Sequence, residues 1–157
     1  MVIPRETPRI FLTVMDDSEE AKIALHYAIA RAAATDGRVA VLYAIEPHEI
    51  FLWRMVEQSI DKGQEQEALN ALREHEQTIE TMTGHKPIFY IRHGKRREVL
   101  LQLLEQEQSI SLLVLAAGSS KGGPGPLIHY LTTAKGMERL KIPFVVVPKG
   151  YMGKIET

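Results

Sequence analysis

The chain has 157 residues, 45% of them hydrophobic and 25% charged, and its 19 Lys+Arg against 20 Asp+Glu leave a formal charge of −1. That length is one ordinary domain, able to bury roughly 70% of its unfolded surface without staples. The absence of cysteine excludes a disulfide framework, a Cys-based zinc site and a thiol nucleophile. Balanced charge gives no basic field for nucleic acid, and no polybasic tract marks a membrane anchor. Charges also interrupt every apolar run before the roughly 18 residues a membrane span needs. Met1 to Pro8 carries two prolines and no apolar core of a leader. The expected location is therefore the cytoplasm, with neither nucleic acid nor membrane as partner.

Ile10 to Met15 is a short branched and aromatic run that stops at Asp16-Asp17-Ser18, the signature of a first strand. Asp17 followed by Glu20 resembles a capping box. Ala21, Ala24, Leu25, Ala28, Ile29 and Ala32 then keep helical spacing as far as Asp36-Gly37. Val39 to Ile45 reads as a strand covered on both faces. From Val56 to Met82 the apolar spacing predicts a second helix, with Gly63 as a break or late start and Gly84 as its C-cap. A third strand over Pro87 to Ile91, a helix on Val99, Leu100, Leu103 and Leu104, and a fourth strand over Leu112 to Ala117 follow. After the Gly/Pro stretch 118–126, Leu127, Ile128, Leu131 and Ala134 begin a fourth helix weakened by Gly136. Phe144 to Val147, between two prolines, is the fifth strand.

Five strands alternating with four helices predict an α/β doubly wound parallel sheet, because parallel neighbours need long right-handed crossovers. The expected domain runs over 9–149, with an N-terminal extension 1–8 and a tail 150–157. In such a sheet the ligand belongs beyond the carboxyl ends of the strands, where the strand order reverses. If the order is 3-2-1-4-5, which the sequence alone does not fix, Asp16-Asp17-Ser18 and the stretch from Gly118 to Pro126 converge on one crevice.

Four glycines in eight residues, 118 to 125, let backbone N–H groups turn inward, which suits a phosphate. Pro124 and Pro126 bring no N–H. Lys121 offers a mobile positive charge, and Ser119, Ser120, Thr132 and Thr133 offer hydroxyls. The alternative is a rigid turn from strand to helix. Asp16 is best placed to meet an adenine or ribose, or else it caps the first helix. Neither G-x-G-x-x-G nor G-x-x-x-x-G-K-[ST] occurs, so dinucleotide and Walker-type chemistry lose support. Arg92-His93-Gly94-Lys95-Arg96-Arg97 is a basic cluster that reads either as an attractor for an anion or, more commonly for a charge run, as a solvated face; on an edge strand, two spacings of ~4.8 Å from the first, only its long side chains reach the crevice. Ile50-Phe51-Leu52-Trp53 reads as core packing or as an apolar lid. The six histidines show no metal spacing, and no catalytic nucleophile stands out.

The chain resembles the universal stress protein (UspA-like) family from Ile10 to Pro148. The likeness is carried by Val14-Met15-Asp16-Asp17-Ser18-Glu19, Leu42-Tyr43-Ala44-Ile45-Glu46, Leu113-Val114-Leu115-Ala116-Ala117-Gly118 and Val145-Val146-Val147-Pro148. Ala116-Ala117-Gly118 with Gly123-Pro124-Gly125-Pro126-Leu127 is similar to a proteobacterial subgroup. The resemblance implies the 3-2-1-4-5 sheet of adenine-nucleotide alpha hydrolase-like proteins and a homodimer through the last strand, Phe144, Val145, Val146 and Val147. That strand has its own physical reason to pair, as an edge with an unpaired ladder.

In one branch of the family the resemblance implies ATP binding through G-x2-G-x9-G-[ST]. Gly118 matches the first glycine and Thr132 the hydroxyl, while Lys121 and Leu131 occupy the other two glycine positions. Asp16 and Ala44 match the adenine-contacting positions, the latter by backbone. The implied ligand is ATP or AMP, held by Asp16, Ala44, Gly118, Ser119, Ser120, Lys121, Gly122, Gly123 and Thr132, with no metal. The function so implied is a dimeric stress-response module that binds an adenine nucleotide or another phosphate-bearing ligand. A branch without the glycines implies the alternative, a regulatory scaffold dimer. A receiver would also show acids like Asp16-Asp17 and a lysine like Lys149. It would, however, end its third strand in an aspartate, where this chain has Arg92-His93-Gly94. A slow ATPase would rest on Asp16 and Asp17 alone.

Overall fold

The computed structural model describes residues 7–16, 18–46, 63–118 and 123–151. Within them the order is β1 (Ile10–Met15), α1 (Glu19–Thr35), β2 (Arg38–Ile45), a helix α2 over 63–73, α3 (Glu76–Thr83) and β3 (Ile88–His93). Then follow α4 (Arg96–Gln106), β4 (Ile110–Ala116), α5 (Pro126–Leu131), α6 (Ala134–Arg139) and β5 (Phe144–Val147). The five strands form one all-parallel sheet in the order β3-β2-β1-β4-β5. This is the expected fold and strand order.

All six residues of β1 are buried, which is why no alternation shows in its sequence. Period two survives in what each residue touches. Phe11 and Met15 pack with Val39, Val41 and Val114 beneath α1 and α3, whose Ala24, Ala28 and Ile79 face them. Ile10, Leu12 and Val14 pack with Ala40, Leu42 and Leu113 beneath α4 and α5, whose Leu100, Leu103 and Leu131 face them. Helices on both faces make the two layers that a central parallel sheet requires. Tyr151, in the expected tail, meets Tyr27 edge to face at 5.5 Å between ring centroids.

Some element boundaries differ from those read in the sequence. The N-cap of α1 is Ser18, whose hydroxyl accepts the Ala21 N–H at 3.2 Å; Asp17, the expected cap, lies outside the described residues, as does the cluster at 50–53. The helix expected to break or start late at Gly63 is helical from 63 onward among the described residues and divides at Glu74-His75, between α2 and α3. Gly84 caps α3 in the left-handed conformation, with φ 79°. The expected fourth helix is two short ones, because Thr132-Thr133 interrupts it and the Thr133 hydroxyl caps α6 at the Gly136 N–H, 3.2 Å away. Six helices, not four, therefore alternate with the strands among the described residues.

Candidate functional site

The switch point lies between β1 and β4, since the chain leaves β1 toward β2 and leaves β4 toward β5. Beyond the carboxyl ends of these two strands is a cleft of about 270 Å³. Val14 and Asp16 from the end of β1, with Ser18, Glu20, Ala21 and Ala24 from α1, form one wall. Leu115, Ala116 and Gly118 from the end of β4, with Pro124, Gly125, Pro126, Leu127 and Ile128, form the other. Arg96, the first residue of α4, completes the lining.

Asp16 has two tasks at once. Its Oδ1 accepts the Ser18 N–H at 2.8 Å and the Ser18 hydroxyl, so it steadies the residue that caps α1. Its Oδ2 stands 3.3 Å from Nη1 of Arg96 across the cleft, both side chains being about one-third exposed. Arg96 arrives there although β3 is the edge strand. The Gly94 N–H donates to the Ile45 carbonyl at 2.9 Å, and the Arg96 N–H donates to the Glu46 carboxylate at 3.1 Å. These two bonds fold the turn after β3 back over the end of β2, and the arginine stem covers the rest of the distance.

The structure brings Asp16 and Gly118 together, as the two-loop reading expects. The Gly118 N–H donates to the Pro124 carbonyl at 2.9 Å, so that amide is engaged within its own loop. Gly125, the N-cap of α5, has φ 107°, a conformation that favours glycine. Gly123 is exposed and does not line the cleft. Ser119, Ser120, Lys121 and Gly122 lie outside the described residues. Ala44 follows the Met15↔Tyr43 pair in register but packs on the α4 and α5 face, away from the lining. Thr132 donates its hydroxyl to the Ile128 and His129 carbonyls at 3.2 and 2.9 Å and is also apart from the cleft.

Sequence reasoning gave Glu20 only a capping role and named Arg96 only as one member of the basic cluster, so neither was expected as a wall of the cleft. The basic cluster was visible, but nothing in it distinguishes Arg96 from its neighbours; the bond from its N–H to Glu46 does. Among the described residues no group of His, Asp or Glu is arranged to hold a metal ion, and no helix is long and apolar enough to cross a membrane.

A doubly wound sheet in this order, with its cleft at the switch point, is an adenine-nucleotide alpha hydrolase-like fold. A model described as "Universal stress protein family" matches residues 8–148, and the chain belongs to that family. No curated protein matches it. Among solved structures it is similar to universal stress protein UspA from Lactobacillus plantarum, with TM-score 0.73 and 17% identity, covering 91% of this chain and 99% of that one. A universal stress protein in complex with cAMP superposes with TM-score 0.57 at 17% identity, over 90% of this chain and 98% of that one. A family protein from Arabidopsis thaliana with AMP bound gives 0.50 at 14% identity, over 90% and 92%. At these identities the likeness shows the fold.

Proposed function

We propose that the protein is a dimeric stress-response module that binds an adenine nucleotide with a single phosphate in the cleft between β1 and β4. One observation carries this reading: Asp16 and Arg96 face the Gly118 and Pro124–Ile128 wall across about 270 Å³. That volume lies near the roughly 300 Å³ at which small-ligand pockets begin, so the cleft suits a small ligand of nucleoside size. The apolar side chains of Val14, Leu115 and Ile128 suit a base, while Asp16 and Arg96 suit a sugar hydroxyl and an anion. The cAMP and AMP held by two proteins of the same fold agree with this choice.

The dimer rests on β5, which closes one edge of the sheet and leaves Val146 40% exposed. An apolar edge strand is normally covered or paired, and pairing with the same strand of a second copy covers it. Calorimetric titration with AMP, cAMP, ATP and adenosine tests the ligand. AMP or cAMP is expected to bind more tightly than ATP. Absence of heat for all four, with folded protein, removes the nucleotide.

One observation favours a scaffold dimer in that event. Leu131, at a motif glycine position, is fully buried in the core beside Leu100 and Leu103, so it presents nothing to a ligand.

A further inference from the structure

We infer that Arg96 is the residue by which the cleft selects a phosphorylated ligand over the bare nucleoside. The inference rests on the nucleotide reading above and goes further, in assigning the anion to one side chain.

Three observations converge on it. The described lining carries two acids, Asp16 and Glu20, and one cation, Arg96. A phosphate entering between two carboxylates gains from a cation beside it, since like charges at close range are disfavoured. The Gly118 amide, first of the donors that a glycine cradle would offer, is already bonded to the Pro124 carbonyl. Pro124 and Pro126, also in the lining, have no N–H to give.

The guanidinium is also free enough to serve. It is 37% exposed, and its ion-pair contact with Asp16 Oδ2 is a single one at 3.3 Å through Nη1. An arginine carries five N–H donors in a planar fork that fits two phosphate oxygens side by side. Its backbone, by contrast, is fixed: the Arg96 N–H is held by Glu46 and the preceding turn by Gly94 on Ile45. The charge is thus presented from a rigid base on a mobile stem.

The test is calorimetric titration of AMP and adenosine into wild type, Arg96→Gln and Arg96→Lys, with thermal melts to show that each is folded. Wild type is expected to prefer AMP over adenosine by at least about tenfold, the difference expected of one charge-assisted pair of hydrogen bonds. In R96Q the ratio is expected to fall to about one, and in R96K to lie between, because a lysine keeps the charge but loses the fork. Raising the salt concentration is expected to erode the preference in wild type and to have little effect in R96Q. A folded R96Q that keeps the wild-type ratio overturns this inference and leaves the nucleotide reading standing. Absence of binding by either ligand to wild type overturns both.

Discussion

Gly136→Ala sets two well-characterised effects against each other. Gly136 lies inside α6, where intrinsic propensity alone makes alanine the better residue by about 1 kcal/mol. The surroundings oppose it. A Cβ built there would stand 2.1 Å from the Tyr130 carbonyl oxygen and 2.8 Å from the Leu131 Cα, both backbone atoms of α5. Backbone cannot rotate away as a side-chain tip can, so α6 must withdraw from α5 by about 1 Å. Overpacking of this kind costs about 3 kcal/mol at the upper end of its range. The shift also stretches the cap in which the Thr133 hydroxyl accepts the Gly136 N–H, worth about 1 kcal/mol. Stability is therefore expected to fall by a net 2–3 kcal/mol or so, which for a chain of this size lowers Tm by roughly 5–10 °C. Urea and thermal unfolding followed by far-ultraviolet circular dichroism measure both quantities. A variant as stable as wild type, or more so, would mean that propensity outweighs contact, and would refute the close approach of α6 to α5. Because Ile128 of α5 lines the cleft, the same variant is expected to weaken any ligand bound there.

Thr13 is fully buried in the middle of β1, and its Oγ1 has no hydrogen-bond partner; Thr13→Val is expected to raise stability by about 1–2 kcal/mol through removal of an unsatisfied hydroxyl. A lowered urea midpoint would show that the hydroxyl is in fact bonded. The Tyr90 phenol has its pKa raised from the ordinary 10.0, chiefly by burial and secondarily by Glu107, against the lowering effect of Arg92 and Arg38. The folded state thus holds this proton more tightly than the unfolded chain, so the contribution is complete below pH ~10 and is lost as pH rises through the folded pKa. Tyr90→Phe is expected to flatten the decline of stability above that pH, and an unchanged slope counts against the shift. Val146→Lys places a charge on the exposed face of the β5 edge, and multi-angle light scattering is expected to show it at the 17.7 kDa of one chain where wild type shows twice that mass. Equal masses for the two proteins would exclude β5 as the contact.

What the sequence made legible follows from which forces are local. Each strand is an apolar, branched run closed by a turn residue, and β5 falls on Phe144–Val147, the four residues bracketed by Pro143 and Pro148. The parallel sheet followed from alternation and the rule of right-handed crossovers, whereas the strand order, which those rules leave open, came from the family resemblance. Helix interruptions were less legible. Glu74-His75 contains neither glycine nor proline, and the division there is visible only in the backbone. At Thr132-Thr133 the signal was present as a capping hydroxyl, but the helical spacing of Leu127, Ile128 and Leu131 masked it. The two-loop crevice was readable because topology alone locates it. Arg96 was not, because its place depends on the Gly94 bond to Ile45 and on the Glu46 carboxylate, partners about fifty residues away in the chain.

The Asp16–Arg96 pair gives the proposed site a coupling that neither residue would have alone. Both side chains are partly solvated, so their mutual attraction is worth about 0–1 kcal/mol and is readily exchanged. A sugar hydroxyl that approaches Oδ2 of Asp16 must share it with the guanidinium, whereas Oδ1 stays committed to Ser18. A phosphate that draws Arg96 to itself releases Oδ2 for the hydroxyl, and a bare nucleoside brings nothing to do so. The two contacts should therefore reinforce each other within one ligand. A double-mutant cycle reads this directly: Asp16→Asn and Arg96→Gln are expected to be non-additive toward AMP, because once the fork is gone the carboxylate no longer has to be released. Strict additivity would mean that the ligand meets the two side chains independently, and that the ion pair spanning the cleft has no part in selecting what enters it.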